Sequence, residues 1–237
     1  MTADDHLLSV VVPAWNEGPI LGACVRTLAA TLDGRPHEIL IVDDGSTDDT
    51  LAVAGRLADE FAGLVRVLTH GRNLGLGAAL KTGFADARGN YVMCCAADYL
   101  MTPGDWAPFA SAMGRADVLV GTRRAREGYG PLMRINAAIY PHLVALLFGL
   151  RLQDVNWTCV YRGDLLRRVA ITRRGIPMLV EILVKLRDLG ATFAEVPCRM
   201  QPRQVGAPAA GRLRVMWRTL AELLALRLAY RRPGAHR

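Results

Sequence analysis

The stretch "YVMCCAADYLMTP" at positions 91–103 places one carboxylate where it can do chemistry. Tyr91 to Cys95 are apolar and β-prone, so they read as a buried strand, and Asp98 follows at its exit, ahead of a Pro-Gly turn. In an open α/β sheet, ligands bind in the crevice beyond the carboxyl ends of the strands. An aspartate there can hold a charged ligand directly or through a divalent cation. Two positions earlier, where a second carboxylate would complete a clamp for a metal and a diphosphate, stands Ala96.

Other strand exits carry groups of the same kind. In "VVPAWNEG" the chain leaves its first strand at Pro13, and Trp15 and Glu17 follow. An indole can face a base or ribose, and a carboxylate can accept from ribose hydroxyls or base N–H groups. In "VDDGSTDDT" Asp43 and Asp44 end the second strand, Gly45 allows a sharp turn, and Asp48 and Asp49 suit the positive end of a helix dipole. The Gly75-Leu76-Gly77 loop can approach a phosphate at a helix N-terminus, with Lys81 one turn on. It lacks a full dinucleotide fingerprint and a P-loop lysine context, which argues against a Rossmann or NTPase site.

These groups need strands and helices in alternation, and the sequence supplies them. Apolar, β-prone runs at 7–13, 37–46, 65–70, 90–96 and 116–124 alternate with helical patterns at 16–32, 47–61 and 73–88. Asn16 is expected to cap the first helix, and an acidic first turn is expected in the second. Repeated βα units predict a mostly parallel central sheet with helices on both faces. After about residue 125 the pattern changes to an apolar helix over 131–150, a short strand over 154–162, a helix ending at Gly190 and a strand over 192–200. A Pro-, Gly- and Ala-rich loop over 201–211 leads to a basic helix with arginines at 212, 214, 218, 227, 231 and 232. Its residues Leu213, Trp217, Leu220, Leu224 and Leu228 share one apolar face. The division expected is a main domain over 1–210 and a C-terminal basic amphipathic helix over 211–237.

Composition narrows the partners. The 237 residues are 51% hydrophobic and 22% charged, which suits a packed core. A net charge of +7 favours anionic partners, but only 6% of residues are aromatic and none interleave with basic runs, so nucleic acid is not expected. Cys24, Cys94, Cys95, Cys159 and Cys198 lack zinc or redox spacing and read as reduced thiols of a cytoplasmic protein. Strand alternation sends Cys94 and Cys95 to opposite faces, which disfavours a joint metal role. The N-terminus lacks the features of a signal peptide. The apolar run 136–150 is short and interrupted by Pro141 and His142, so no membrane-spanning helix is expected.

Taken in order, "VVVPAWNEG", "EILIVDDGSTDDT", "NLGLGAALKTGFADARGNYVM" and "VLVGTRR" resemble the family 2 glycosyltransferases of GT-A fold, closest to the dolichol-phosphate or polyprenyl-phosphate mannose synthase branch. "GATFAEVPCRM" resembles that branch's late Glu-Val-Pro strand, and the likeness runs over residues 7–205. It implies a nucleotide-diphospho-sugar transferase fold. It also implies a donor site at Pro13, Trp15, Glu17, Asp43, Asp44 and Gly77, in which Asp43 or Asp44 holds the base or ribose of a GDP- or UDP-sugar.

The branch carries Asp-x-Asp, often with a polar residue two places on, to bind a divalent ion on the donor diphosphate. Here those positions read Ala96, Asp98 and Leu100. Magnesium or manganese can be held by Asp98 with phosphate oxygens and water completing the shell. Alternatively, arginines replace the ion at the leaving phosphate, with Arg123, Arg124, Arg134 and Arg203 as candidates.

The mechanism implied is an in-line displacement at the anomeric carbon with inversion. A lipid-phosphate acceptor is already anionic and needs only positioning. A hydroxyl acceptor needs a base, for which Asp154 and Glu181 are candidates. The branch's Asp-x-x-x-Gly-Phe is here "DVNWTCVYR", so the acceptor end departs as well. Three readings follow. The leading one is a transferase acting on a polyprenyl phosphate, peripheral on the cytoplasmic face of an anionic membrane. The second is a transferase for a soluble natural-product acceptor with weak or no metal dependence. The third is a non-catalytic nucleotide-sugar binding module. The C-terminal helix can lie on a membrane or pack in a homodimer.

Overall fold

The computed structural model describes residues 7–123, 130–173, 175, 177–198 and 213–230. The first half is a run of βα units: β1 (Leu8–Ala14), α1 (Gly18–Thr31), β2 (His37–Asp43), α2 (Thr50–Glu60), β3 (Val65–Thr69), α3 (Leu76–Asp86), β4 (Tyr91–Cys94), α4 (Pro103–Ala112) and β5 (Val118–Arg123). Then come α5 (Pro131–Phe148), β6 (Cys159–Arg162), the short α6 (Gly163–Leu166), α7 (Pro177–Asp188), β7 (Phe193–Cys198) and α8 (Leu213–Ala229).

The seven strands form one sheet in the order β3-β2-β1-β4-β6-β5-β7. All neighbours are parallel except that β6 runs against both β4 and β5. Two reversals restore direction, so β5 ends at the same edge of the sheet as β1, β2 and β4. The chain order reverses between β1 and β4, and that switch point opens a crevice at their carboxyl ends.

The apolar runs of β1 and β2 are continuous because both faces of the sheet are covered. Val11, Leu40 and Val42 point into a core shared with α3, α5, α7 and α8. Val10, Val12, Ile39 and Ile41 point into the opposite core, under α1, α2 and α4. The same alternation separates the adjacent cysteines, Cys95 lying in the second core and Cys94 packing against the first.

Several local expectations are corrected. Asn16 does not cap α1, whose N-cap position is Glu17. Instead Asn16 is left-handed (φ 56°) and bonds across to the next turn: its Oδ1 accepts from Thr47 N at 2.8 Å and its N–H donates to Ser46 Oγ at 3.0 Å. The first turn of α2 holds no acidic residue, because the helix starts only at Thr50. Asp48 lies ahead of it and accepts from Thr50 N at 3.0 Å and Gly18 N at 3.3 Å, tying the two turns together. Pro103-Gly104 is not a turn but the start of α4, where Thr102 and Asp105 form a capping box.

The C-terminal helix also turns a different stripe inward. Leu223 and Leu226 are buried in the core with α5 and α7, and Tyr230 packs edge-on against Phe148 at 5.8 Å. Trp217, Leu224 and Leu228, expected on a single apolar face, are exposed (68%, 44% and 87%). The helix has more apolar positions than the α5–α7 seam can cover, and the seam selects the ones that fit. Contrary to expectation, α5 is long and apolar enough to cross a membrane by length and composition, with 18 residues and mean hydropathy 1.3. Only 17% of it is buried, and Ile135, Ile139 and Leu146 are exposed along it.

Candidate functional site

A cavity of about 590 Å³ opens at the carboxyl ends of β1 and β2. Pro13, Trp15, Glu17 and Asp44 line it, together with Asn73, Gly75 and Arg218. The two turns that build its floor come from segments 30 residues apart, joined by the Asn16 and Asp48 hydrogen bonds. Gly45 (φ 68°) lets the second turn lie directly against the backbone of residues 72–73, where a Cβ would collide at 2.3 Å.

The two adjacent aspartates do different work. Asp44 is buried and its oxygens are committed to protein: Oδ1 accepts from Leu74 N at 3.0 Å and Oδ2 from Gly75 N at 2.7 Å. His70 adds a third bond, Nδ1 to Asp44 Oδ1 at 2.6 Å, and its Nε2 meets Thr82 Oγ1 at 2.9 Å. Asp44 therefore shapes the glycine loop, and the N–H groups of Leu74 and Gly75 face a carboxylate. Asp43 is also buried, with Oδ2 taking one long bond from Ser46 N at 3.4 Å. Its Oδ1 has no hydrogen-bond partner among the described residues. A buried, unpartnered carboxylate oxygen is costly unless a ligand donates to it. Of the pair, Asp43 is the one whose chemistry awaits a donor such as a base N–H.

Gly77 does not line this cavity. It faces a neighbouring one of about 710 Å³ with His70, Lys81, Thr82 and Arg173, while Gly75 (φ 92°) takes the place expected of it. Asp98 is half-buried at the exit of β4, beyond the exposed Ala96, and lies outside the lining of the first cavity. Among the described residues no group of three His, Cys, Asp or Glu converges as a metal cage. Burial pushes the Cys94 and Cys159 thiols up to about 12.

Arg123 and Asp154, expected as separate catalytic groups, are each other's partners. Arg123 Nε and Nη2 donate to the two Asp154 oxygens at 2.6 and 2.9 Å, with both side chains nearly buried. The guanidinium lies over the Trp157 ring at 5.0 Å, and Trp157 meets Tyr99 edge-on at 5.4 Å. Asp154 Oδ1 also accepts from Asn156 N at 3.1 Å. This cluster ties the exit of β5 to the entry of β6 and to the segment just after Asp98. Arg134 is exposed on the first turn of α5. Arg124 and Arg203 lie outside the described residues.

Glu181, the other candidate base, is a buried anchor. It accepts from Thr172 N and Oγ1, Arg173 N and Lys185 Nζ. Burial pushes its carboxyl up, but the bonds from Lys185, Thr172 and Arg173 outweigh that and hold it below the usual range. Its ionised form therefore stabilises the fold above the unfolded carboxyl's pKa, near about 4.3, and that contribution is lost as pH falls further. Glu181→Gln is expected to flatten the acid limb of a stability-against-pH curve measured by urea unfolding. An unchanged acid limb would contradict this role.

His70 and Arg218 were not legible as site residues. No sequence signal marks His70 beyond its place after β3, and Arg218 arrives from α8, far along the chain from the other lining residues.

A mostly parallel seven-stranded sheet covered by helices on both faces, with a cavity beyond the ends of β1 and β2, accords with the GT-A fold. The glycosyl transferase family 2 profile matches residues 9–173, and the chain belongs to that family of enzymes. It is 30% identical over 96% of its length to dodecaprenyl-phosphate galacturonate synthase from Rhizobium johnstonii, covering 69% of that protein. It is 36% identical to undecaprenyl-phosphate 4-deoxy-4-formamido-L-arabinose transferase from Aeromonas hydrophila over 52% of this chain and 39% of that one. The chain thus spans well under half the length of the latter. Among solved structures, glucosyl-3-phosphoglycerate synthase from Mycobacterium tuberculosis, in complex with Mn2+, UDP and phosphoglyceric acid, superposes with a TM-score of 0.71 at 23% identity. That match covers 97% of this chain and 81% of the other and shows the shared fold.

Proposed function

We propose that this enzyme transfers a sugar from a nucleoside-diphosphate sugar to a polyprenyl phosphate at a membrane surface. The observation that carries the donor half is the buried, unpartnered Oδ1 of Asp43, the residue before Asp44 in the cavity lined by Trp15 and Glu17. The acceptor half is supported by the two relatives named for prenyl-phosphate substrates. It is supported too by the exposed apolar residues of α5 and α8, which suit contact with a lipid surface. The net charge of +7 favours an anionic one.

The acceptor phosphate oxygen attacks the anomeric carbon as the bond to the leaving diphosphate breaks, and the electron pair departs with the nucleotide. The attacking oxygen is already anionic, so no general base is required. That accords with Asp154 and Glu181 both being engaged in internal bonds. A divalent cation, when bound, neutralises charge on the leaving diphosphate. Asp98 is the residue of this chain that would hold it, and with Ala96 and Leu100 as neighbours the substrate's own oxygens must supply further ligands.

The test is transfer of labelled sugar from UDP- and GDP-sugars into the lipid fraction of anionic vesicles containing a polyprenyl phosphate, with magnesium or with EDTA. Label in the lipid is expected, and Asp98→Asn is expected to lower transfer and diphosphate binding tenfold or more. Label moving only to water-soluble acceptors would overturn the lipid assignment. No transfer to any acceptor would overturn the catalytic one.

A further inference from the structure

The acidic groups around the donor cavity suit base N–H groups and ribose hydroxyls, but they repel the phosphates of the same ligand. Glu17 and Asp44 line the cavity, and Asp43, the residue before Asp44, is buried outside that lining. Among the described lining residues Arg218 is the only cation. It comes from α8, whose position is fixed by Leu223 and Leu226 in the core and by the Phe148–Tyr230 contact. Its Nε pairs with Glu222 Oε1 one turn on at 3.4 Å, and Glu222 is seated against Gly175, where even a Cβ would meet its carboxylate. Such an exposed i,i+4 pair contributes little stability and yields readily to a stronger partner. A diphosphate is that partner, since guanidinium and phosphate form paired, charge-assisted hydrogen bonds.

We infer that Arg218 binds a phosphate group of the nucleotide donor, making the C-terminal helix one wall of the donor site. This rests on the donor reading given above. The role is consistent with a chain that carries Ala96 where a second metal-binding carboxylate would stand, because a side-chain cation compensates for a weaker ion site. Trp217, the neighbouring residue, is exposed. A lipid headgroup would offer the same phosphate chemistry, so the experiment separates the two sources.

Affinities for UDP, GDP, uridine and guanosine are measured by calorimetry on the full chain, and anionic vesicle binding by co-sedimentation without nucleotide. Arg218→Gln is expected to weaken binding of the preferred diphosphate tenfold or more, to leave its nucleoside unaffected and to leave vesicle binding within twofold. Arg218→Lys is expected to recover part of the loss. Equal diphosphate affinity in wild type and Arg218→Gln would overturn the proposal, as would a loss confined to vesicle binding. Failure of the wild type to bind any nucleotide or nucleoside would instead overturn the donor reading itself. The substitution is on an exposed side chain, and an unchanged melting temperature verifies that the variant folds.

Discussion

Asp154→Ala is expected to destabilise the protein by about 3–5 kcal/mol, because it removes the carboxylate to which Arg123 Nε and Nη2 both donate in a nearly buried site. Arg123→Leu should cost a comparable amount for the mirror-image reason. Arg123→Leu with Asp154→Leu together should recover most of the loss, since an apolar pair needs no compensation there. Denaturant unfolding of the three variants measures the coupling directly. A structural pair gives strong non-additivity in stability. The alternative, a catalytic base at Asp154, gives an alanine variant with wild-type stability and little turnover, and that outcome would sink the present assignment. Trp157 stacks on the same guanidinium, so it too should contribute to the coupling.

The second large effect concerns Asp43. Asp43→Asn keeps the shape but can turn an N–H2 toward a donor that needs an acceptor. A hydrogen bond to a charged group is worth about 1.5–3 kcal/mol, so donor affinity should fall roughly 10- to 150-fold. The fold should be little disturbed, because among the described residues the only bond to this carboxylate is the long one from Ser46 N. Asp44→Asn makes the contrasting control. It removes charge from a carboxylate that accepts from Leu74 N, Gly75 N and His70, so it should lower the melting temperature as well as donor affinity. Calorimetry with UDP and GDP, together with thermal unfolding, distinguishes the two. If Asp43→Asn binds nucleotide as tightly as wild type, Asp43 is not the contact.

The sequence by itself determined the architecture of the first half. Continuous apolar runs at β1 and β2, each followed by a helical stripe, admit little besides a parallel sheet covered on both faces. It also placed Trp15, Glu17, Asp43 and Asp44 at strand exits, because a strand end followed by a turn and a helix is a local feature. The capping box at Thr102 is equally local, yet Pro103-Gly104 reads from sequence as a turn and conceals it. What the tertiary structure decided are pairings between distant segments. Which aspartate keeps an open oxygen depends on where the loop at 74–75 and His70 come to rest. Whether Arg123 and Asp154 act on a substrate or on each other depends on how β5 and β6 meet. Which stripe of α8 is buried depends on the seam between α5 and α7, and only that docking brings Arg218 over the donor cavity. Periodicity fixes what a segment can form, whereas burial and ionic partners are properties of the surfaces that segment meets.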